Sequence, residues 1–147
     1  MYDILIIGGG ASGMMSAIAS AMQNSSLSIA IVEKNDRVGK KILTTGNGRC
    51  NLTNLKTDIS RYHGENVKFA LSALKKADVN ETLELFKCFG IYPKAEGDKV
   101  FPNSLQASSV VDVLRIKLKQ FGISEICNFN FVSIEKNKDN YYVISKS

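Results

Sequence analysis

The stretch Gly8-Gly9-Gly10-Ala11-Ser12-Gly13 follows the apolar run Ile4-Leu5-Ile6-Ile7 and leads into a helix-forming run at residues 14–19. This order predicts a strand, a glycine turn and a helix, with the glycines spaced as G-x-G-x-x-G. The first glycine turns the chain off the strand, the second lets backbone approach a pyrophosphate, and the third lets the helix pack on the sheet. The helix N-terminus then directs unpaired N–H groups and its positive dipole end at the phosphates.

A second apolar run, residues 28–32, ends in Glu33, twenty residues beyond Gly13. An acid at this position accepts hydrogen bonds from the ribose hydroxyls of a nucleotide without a 2′-phosphate. Strand, turn, helix, second strand and acid occur in the expected order. The pattern therefore favours a dinucleotide-binding unit over a glycine-rich turn in an unrelated α/β protein.

Size and composition indicate one globular domain. The chain has 147 residues, of which 44% are hydrophobic and 22% are charged, as in ordinary folded proteins. No apolar stretch has the length of a membrane span, and the start Met1-Tyr2-Asp3 lacks a basic signal-peptide region. The three cysteines are widely spaced and form no C-x-x-C pair, which indicates free thiols. We therefore predict a cytoplasmic protein with no membrane partner.

The net charge of +5 raises the question of nucleic-acid binding. Lys and Arg residues are spread along the chain, however, and the densest basic group lies just after the dinucleotide motif, at Arg37, Lys40, Lys41 and Arg49. Positive charge there suits a bound pyrophosphate. The sequence therefore predicts anion binding and a solvated surface, and no nucleic-acid partner.

The segment from residue 34 to about residue 63 is polar, punctuated by glycine and without clear hydrophobic periodicity. Loops of this length inside a compact domain are usually functional. Two helices are predicted after it, over residues 65–75 and residues 80–89, the second with Asn80 as its N-cap candidate.

The remaining chain predicts a hairpin over residues 91–101, a helix that Ser104 or Ser108 caps, and a strand over residues 124–131. The helix carries one apolar stripe: Val110, Leu114, Leu118 and Phe121. The last predicted element is a hairpin around residues 137–140. Because a parallel sheet of this type requires further strands, we expect the chain to be the N-terminal piece of a longer protein.

Residues 33–54, EKNDRVGKKILTTGNGRCNLTN, resemble the BaiN-type, aminoacetone-oxidase-like family of bacterial FAD-binding flavoproteins. A second family signature fits residues 97–104, GDKVFPNS, followed by Ala107 and Val110. The resemblance extends over all 147 residues.

The resemblance implies an α/β, Rossmann-like FAD/NAD(P)-binding fold of the glutathione-reductase-like class, incomplete at its C-terminus and with an added β-hairpin. Residues 1–147 then form the N-terminal part of an FAD-binding domain, without the family's inserted domain and C-terminal FAD-contacting segment. We expect such a fragment alone to be inactive and to self-associate, because its sheet edge is uncovered.

The function implied is that of an FAD-dependent oxidoreductase acting on a small organic substrate, with NAD(P)H as the candidate electron donor of the full-length protein. The alternative is the NAD-binding module of a dehydrogenase, which shares the glycine turn and Glu33 but needs no long basic glycine loop at residues 44–54. We identify no catalytic residue and no metal-ligand cluster.

Within this resemblance the glycine turn binds pyrophosphate, Glu33 binds the adenosine ribose and Lys34 lies over the adenine edge. Lys41 and Arg49 are the candidates to neutralise phosphate, residues 45–48 run beside the ribityl chain or flavin ring, and a strand near Val132 contacts adenine. The predicted cofactor-binding residues are Gly8, Gly10, Ala11, Ser12, Gly13, Glu33, Lys34, Lys40, Lys41, Thr45, Gly46, Asn47, Gly48, Arg49, Cys50 and Val132.

Several of these residues also have a plain structural interpretation. Lys40 and Lys41 are alternatively a solvated surface pair. Packing is favoured over flavin contact for Cys50 because no partner residue is nearby in sequence. His63 is interpreted as a solvated loop side chain. Four phenylalanines have core-like spacing: Phe86, Phe89, Phe101 and Phe121.

Overall fold

A computed structural model describes residues 1–146, apart from the side chain of Lys75. The chain forms two compact units. The first contains Met1–Leu43 and the chain from Leu114 onward, and the second contains Thr44–Val113. The long polar segment predicted after Glu33 thus leads out of the first unit, and a helix returns the chain to it.

The strands are β1 (Ile4–Ile7), β2 (Ile29–Val32), β3 (Thr53–Asn54), β4 (Pro93–Glu96), β5 (Lys99–Pro102), β6 (Ser124–Ile126), β7 (Asn130–Asn137) and β8 (Asn140–Lys146). The α-helices are α1 (Ala11–Gln23), α2 (Leu71–Lys76), α3 (Val79–Cys88) and α4 (Ala107–Gln120). Three short 3₁₀ segments occur at Ile42–Gly48, Ile59–Arg61 and Val67–Ala70.

The first unit is built on a parallel sheet with the strand order β1-β2-β6. Ile4 pairs with Ile29, and Val32 pairs with both Ile7 and Ile126. All four residues of β2 are buried, as expected for a central parallel strand. α1 connects β1 to β2 and buries one face, formed by Gly13, Met14, Ala17, Ile18 and Ala21. This β-α-β unit confirms the predicted Rossmann-like α/β fold.

The prediction of one continuous strand over residues 124–131 is wrong. β6 ends at Ile126, and β7 begins at Asn130. Asn128 between them has a left-handed backbone with φ of 56°, which cannot continue a strand. β7 instead pairs with β8 in a separate antiparallel hairpin, whose turn lies at the predicted residues.

In α4 the predicted apolar stripe is confirmed for Val110, Leu114 and Leu118, which are all buried. Phe121 departs from the prediction, since it lies beyond the last helical residue and is 37% exposed. Ser108 lies inside the helix, and the Ser104 hydroxyl accepts a hydrogen bond from the N–H of Gln106, just before the helix begins.

The second unit contains an antiparallel sheet with the order β3-β5-β4. β4 and β5 form the predicted hairpin, with Ala95 opposite Val100. The helix predicted over residues 65–75 is a 3₁₀ turn followed by α2. The N-cap predicted for α3 is wrong: Asp78, not Asn80, caps it, because the Asp78 carboxylate accepts from the N–H of Glu81 at 2.8 Å.

Among residues 1–146 the structure contains no helix that is both long and apolar enough to cross a lipid bilayer. Phe101 is buried in the second unit, as its spacing predicts, whereas Phe86 and Phe89 are half-buried.

Candidate functional site

The glycine turn between β1 and α1 carries the dinucleotide fingerprint. Gly8 has a φ of 101°, and its N–H donates to the carbonyl of Val32 at 2.8 Å. A side chain at Gly13 would place its Cβ 2.0 Å from the carbonyl oxygen of Gly8, whereas a Cβ at Gly10 would meet no atom within 4 Å. Gly13 is therefore required by packing, while Gly10 borders open space of the kind a ligand needs.

The N-terminus of α1 faces this open space. Gly10 precedes the first helical residue, and no side chain caps the helix there. The first-turn N–H groups of Ala11 and Ser12 lie on exposed residues, and the turn has no acidic side chain that would repel an anion. The arrangement has the donors and the dipole end that bind a phosphate group.

Glu33 links the end of β2 to this turn. One carboxylate oxygen accepts from the N–H of Gly9 at 2.7 Å, and the other accepts from the N–H of Asn35 at 2.9 Å and from its side-chain amide. The residue is only 8% exposed. Three hydrogen bonds leave part of the acceptor capacity of the two oxygens unused.

Charge at Glu33 follows from these contacts. Burial raises the pKa of Glu33, but the hydrogen bonds from Asn35 and Gly9, together with the positive charge of Lys34, outweigh burial and lower the pKa below its ordinary value of 4.5. The carboxylate is therefore ionised at neutral pH, the form that accepts hydrogen bonds from ribose hydroxyls.

Gly9 and Val38 are two parts of the site that the sequence analysis missed. A Cβ at Gly9 would lie 2.5 Å from a methyl carbon of Val38, and the Gly9 carbonyl accepts from the N–H of Gly39 at 2.7 Å. Val38 is fully buried. The signal was available as the middle glycine of the run, because the fingerprint itself requires only Gly8 and Gly10.

The basic residues after Glu33 lie on the surface of the first unit. Lys34, Lys40 and Lys41 are exposed, and the Lys40 ammonium lies 3.1 Å from the carboxylate of Asp36. Both members of that ion pair are at least half exposed, and the exposure of Lys40 and Lys41 agrees with the alternative that these two lysines lie on a solvated surface. Val132 belongs to β7 and is 57% exposed.

Residues 45–50, here called the glycine loop, open the second unit. Four residues of the loop have positive φ: Gly46, Asn47, Gly48 and Cys50. The loop closes on itself through hydrogen bonds from the N–H of Arg49 to Gly46 and from the N–H of Cys50 to Thr45. A Cβ at Gly46 would lie 2.8 Å from the backbone nitrogen of Asn51, so this glycine is required by a close approach of the backbone.

Arg49 and Cys50 differ from the other loop residues in their surroundings. A guanidinium nitrogen of Arg49 lies 2.8 Å from the carboxylate of Glu96, and the group stacks 4.2 Å from the ring centre of Phe101. Cys50 is 7% exposed, and burial raises the pKa of its thiol. A buried neutral thiol supports the packing interpretation. His63 is exposed, in keeping with a solvated loop side chain.

The structure therefore gathers the predicted site residues into two sets. The glycine turn, Glu33, the three lysines and Val132 belong to the first unit, and the glycine loop belongs to the second. Among the residues that the structure describes, no group of three or more His, Cys, Asp or Glu side chains could hold a metal ion.

Comparison with known proteins identifies the family. Residues 2–147 match the family described as HI0933-like protein Rossmann domain. The chain belongs to this family. The HI0933-like assignment agrees with the family resemblance seen in residues 33–54 and 97–104, which is thereby confirmed.

Two curated relatives of this HI0933-like chain are enzymes by name. It is 48% identical over 120 residues to the 3-dehydro-bile acid delta(4,6)-reductase of Clostridium scindens, a match covering 82% of this chain and 29% of the reductase. It is 29% identical over 143 residues to the ribosomal RNA dihydrouridine synthase of Escherichia coli. This match covers 95% of this chain and 34% of the synthase. The chain thus spans about a third of the length of these relatives.

Solved structures share the fold of the HI0933-like chain. THI4 of Thermovibrio ammonificans aligns with a TM-score of 0.60 at 15% identity, over 97% of this chain and 45% of THI4. The open conformation of a flavocytochrome c3 fumarate reductase aligns with a TM-score of 0.57 at 17% identity, over 98% of this chain and 32% of the reductase. At such low identities these likenesses concern the fold alone, and they agree with the Rossmann-like class.

Proposed function

We propose that this chain is the FAD-binding segment of a flavin-dependent oxidoreductase, and that residues 1–147 are the N-terminal part of a longer protein's FAD-binding domain. The observation that carries the proposal is the hydrogen bond between Glu33 and Gly9. It fixes an ionised ribose-binding acid against a phosphate-binding turn, as a dinucleotide requires. The HI0933-like membership and the 48% identity to a reductase support the oxidoreductase class.

The proposed contacts to FAD in the first unit follow from the site. Backbone N–H groups of the turn at Gly8, Gly10, Ala11, Ser12 and Gly13 hold the pyrophosphate. Glu33 accepts from the ribose hydroxyls, and Lys34 lies along the adenine. Lys41 and Lys40 supply positive charge, and the Lys40 ammonium also pairs with Asp36. Main-chain groups near Val132 are proposed to contact adenine. When bound, FAD supplies the electron and hydride chemistry.

The glycine loop is proposed to serve the flavin half of the cofactor. Its glycines at positions 46 and 48 allow close backbone approach, and Thr45 and Asn47 are exposed. This role rests on the family resemblance. NAD(P)H is the proposed electron donor of the whole protein.

The substrate is proposed to be a small organic molecule. One relative is by name a bile-acid reductase and the more distant one acts by name on ribosomal RNA. The test is to incubate the flavin-loaded gene product, with NAD(P)H as the reductant, with a dehydro-bile acid and, separately, with unmodified ribosomal RNA. Turnover of the small molecule alone supports the proposal. Turnover of RNA alone contradicts it and would also overturn the expectation of no nucleic-acid partner.

The cofactor is tested on the product of the complete gene. A visible flavin band after purification or reconstitution with FAD is the expected result. Calorimetric titration with FAD, NAD and NADP then separates the two nucleotide classes. Tighter binding of NAD than of FAD would favour the alternative, an NAD-binding dehydrogenase module.

A piece limited to residues 1–147 is proposed to be inactive and to self-associate. Within the described residues β1 pairs with β2 only, and Ile7 is 43% exposed. A cleft of about 690 Å³ between β1 and the β7–β8 hairpin is lined mainly by apolar groups, together with Asp3, Asp139 and Asn140. Uncovered edges and apolar surface promote association. Light scattering of this piece over a range of concentrations tests the proposal, and a monomer at all concentrations would contradict it.

A further inference from the structure

We propose that Glu96 and Phe101 are positioning residues: they hold the side chain of Arg49, and through it the glycine loop, in the conformation that receives the flavin half of FAD. This inference rests on the proposed function. It assigns Arg49 a different role from the phosphate contact that the sequence suggests.

The backbone of the glycine loop is held by bonds inside the loop and by contacts outside it. Asn47 and Cys50 carry side chains but have φ of 57° and 60°, a conformation that is unfavourable for residues with a Cβ. Backbone hydrogen bonds from Arg49 to Gly46, at 3.2 Å, and from Cys50 to Thr45, at 3.0 Å, close the loop on itself. Contacts with the neighbouring hairpin add to these bonds.

The β4–β5 hairpin supplies those contacts. Glu96 pairs with Lys99 across the hairpin, and Phe101 lies two residues further along β5, so Glu96 and Phe101 share one face. Phe101 is only 2% exposed, which fixes its ring. The ring lies under the guanidinium of Arg49, and the same guanidinium group approaches the Gly46 carbonyl with its Nε at 3.4 Å.

Arg49 thus bridges the hairpin and the loop. Its positive charge is paired with the Glu96 carboxylate at 2.8 Å, so less of that charge is available to a phosphate. A planar guanidinium can pair with a carboxylate and stack on an aromatic face at the same time, which an ammonium cannot do equally well. These contacts favour a structural role for Arg49.

The same hairpin contains the second family signature, residues 97–104. Its backbone accepts hydrogen bonds from the chain after the loop: the Val100 carbonyl from the N–H of Leu52, and the Asp98 carbonyl from the N–H of Leu55, both at 2.8 Å. The end of the first signature stretch and the second signature stretch, far apart in sequence, thus pair within the second unit. The hairpin is therefore a support for the loop.

The test compares two single variants, their double variant and a control variant of the complete gene product by titration with FAD, followed through quenching of flavin fluorescence. Glu96→Gln removes the negative charge that pairs with Arg49. Arg49→Lys keeps the positive charge but loses the planar guanidinium that lies over the Phe101 ring. Glu84→Gln is the matched control, because it removes the exposed pair with Lys87 in the same unit.

Glu96→Gln and Arg49→Lys are each expected to weaken FAD binding about tenfold. The double variant should bind FAD no more weakly than the weaker-binding single variant. The control should bind FAD as tightly as wild type. Direct phosphate binding by Arg49 predicts a different pattern. Arg49→Lys would then bind nearly normally, and Glu96→Gln would bind FAD as well as wild type or better. That pattern would overturn the inference and leave the proposed function intact.

Amide hydrogen exchange of the FAD-free protein gives an independent readout. Glu96→Gln and Phe101→Leu are expected to speed exchange at the Arg49 and Cys50 amides about tenfold, while Glu84→Gln leaves both unchanged. Unchanged exchange in the two variants would overturn the inference, whatever the FAD result. If the wild-type protein binds no FAD, the proposed function fails, and exchange alone then decides whether this cluster holds the loop.

Discussion

The carboxylate of Glu33 accepts a hydrogen bond from the backbone N–H of Gly9 at 2.7 Å, across 24 positions of sequence. The bond joins the acid at the end of β2 to the middle of the glycine turn after β1. Because the Glu33 side chain is almost fully buried, the bond is protected from solvent. Two parts of the proposed nucleotide site that are separate in sequence are thereby fixed to each other.

Two alanine substitutions in the glycine turn should separate folding from binding. Gly13→Ala is expected to destabilise the protein by about 1–3 kcal/mol, because the new Cβ would lie 2.0 Å from the Gly8 carbonyl oxygen. Gly10→Ala meets no atom within 4 Å, so stability should change by less than about 0.5 kcal/mol, while FAD affinity falls. Urea unfolding and FAD titration check both. A stable Gly13→Ala protein would contradict the packing argument.

Glu33→Gln is expected to lower the free energy of unfolding at neutral pH by about 1–3 kcal/mol, because the buried hydrogen bonds lose their charged acceptor. The pKa of Glu33 is lower in the folded protein than its ordinary value of 4.5. Its stabilising contribution is therefore fully present above that value and is lost as the pH falls through the lowered pKa. Urea unfolding across this pH range should show that the difference in free energy of unfolding between wild type and variant becomes smaller in acid.

Glu84→Gln, at an exposed ion pair, serves as the control for this series. It should leave both the stability and its pH dependence close to wild type. If wild type is more stable than Glu33→Gln by the same free energy of unfolding at every pH, the charge of Glu33 is not the source of the stabilisation.

The three cysteines should react with thiol reagents in the order Cys88, Cys127, Cys50. Cys88 is exposed, Cys127 is half-buried and Cys50 is buried. Burial raises the pKa of Cys50, and burial together with the charges of Glu125 and Glu33 raises the pKa of Cys127, so both are poorly ionised at neutral pH. Timed alkylation with peptide mapping checks the order. Cys88→Ser should remove the fast phase alone, and early labelling of Cys50 would contradict its burial.

The left-handed residues of the glycine loop give a matched pair of substitutions. Asn47→Gly should leave stability unchanged or slightly raised, whereas Asn47→Ala should cost about 1 kcal/mol, because alanine tolerates a φ of 57° poorly. Gly46→Ala should cost more, since its Cβ would also lie 2.8 Å from the Asn51 nitrogen. Thermal unfolding of the three variants measures this ranking. Equal stability of the two Asn47 variants would show that the loop relaxes freely.

Local pattern was sufficient to predict the first β-α-β unit. The apolar run before Gly8, the spacing of the glycines and the position of Glu33 each follow from short-range rules of strand, turn and helix formation. The hairpins around residues 97–98 and 137–140 were predictable for the same reason, because turn residues and alternating side chains set them locally. Helix boundaries were less certain: Asp78, and not Asn80, caps α3, and the two competing cap residues lie only two positions apart.

Contacts between segments that are distant in sequence could not be predicted from the local sequence pattern. The left-handed Asn128 that separates β6 from β7 occurs where the N–H groups of Asn128 and Phe129 donate to the carbonyls of Asn35 and Glu33, both at 2.9 Å. The packing of Val38 on Gly9 likewise depends on segments that meet only in the folded chain.

By itself, the sequence determined the glycine turn, the acid at the end of β2 and the family, because these depend on residue type and spacing over short distances. Only the tertiary structure decided the state of the side chains. It gave Arg49 a carboxylate partner 47 residues away and an aromatic ring beneath it, and it buried Glu33 against Gly9. Charge, burial and hydrogen bonding arise from neighbours in space, and folding alone sets those neighbours.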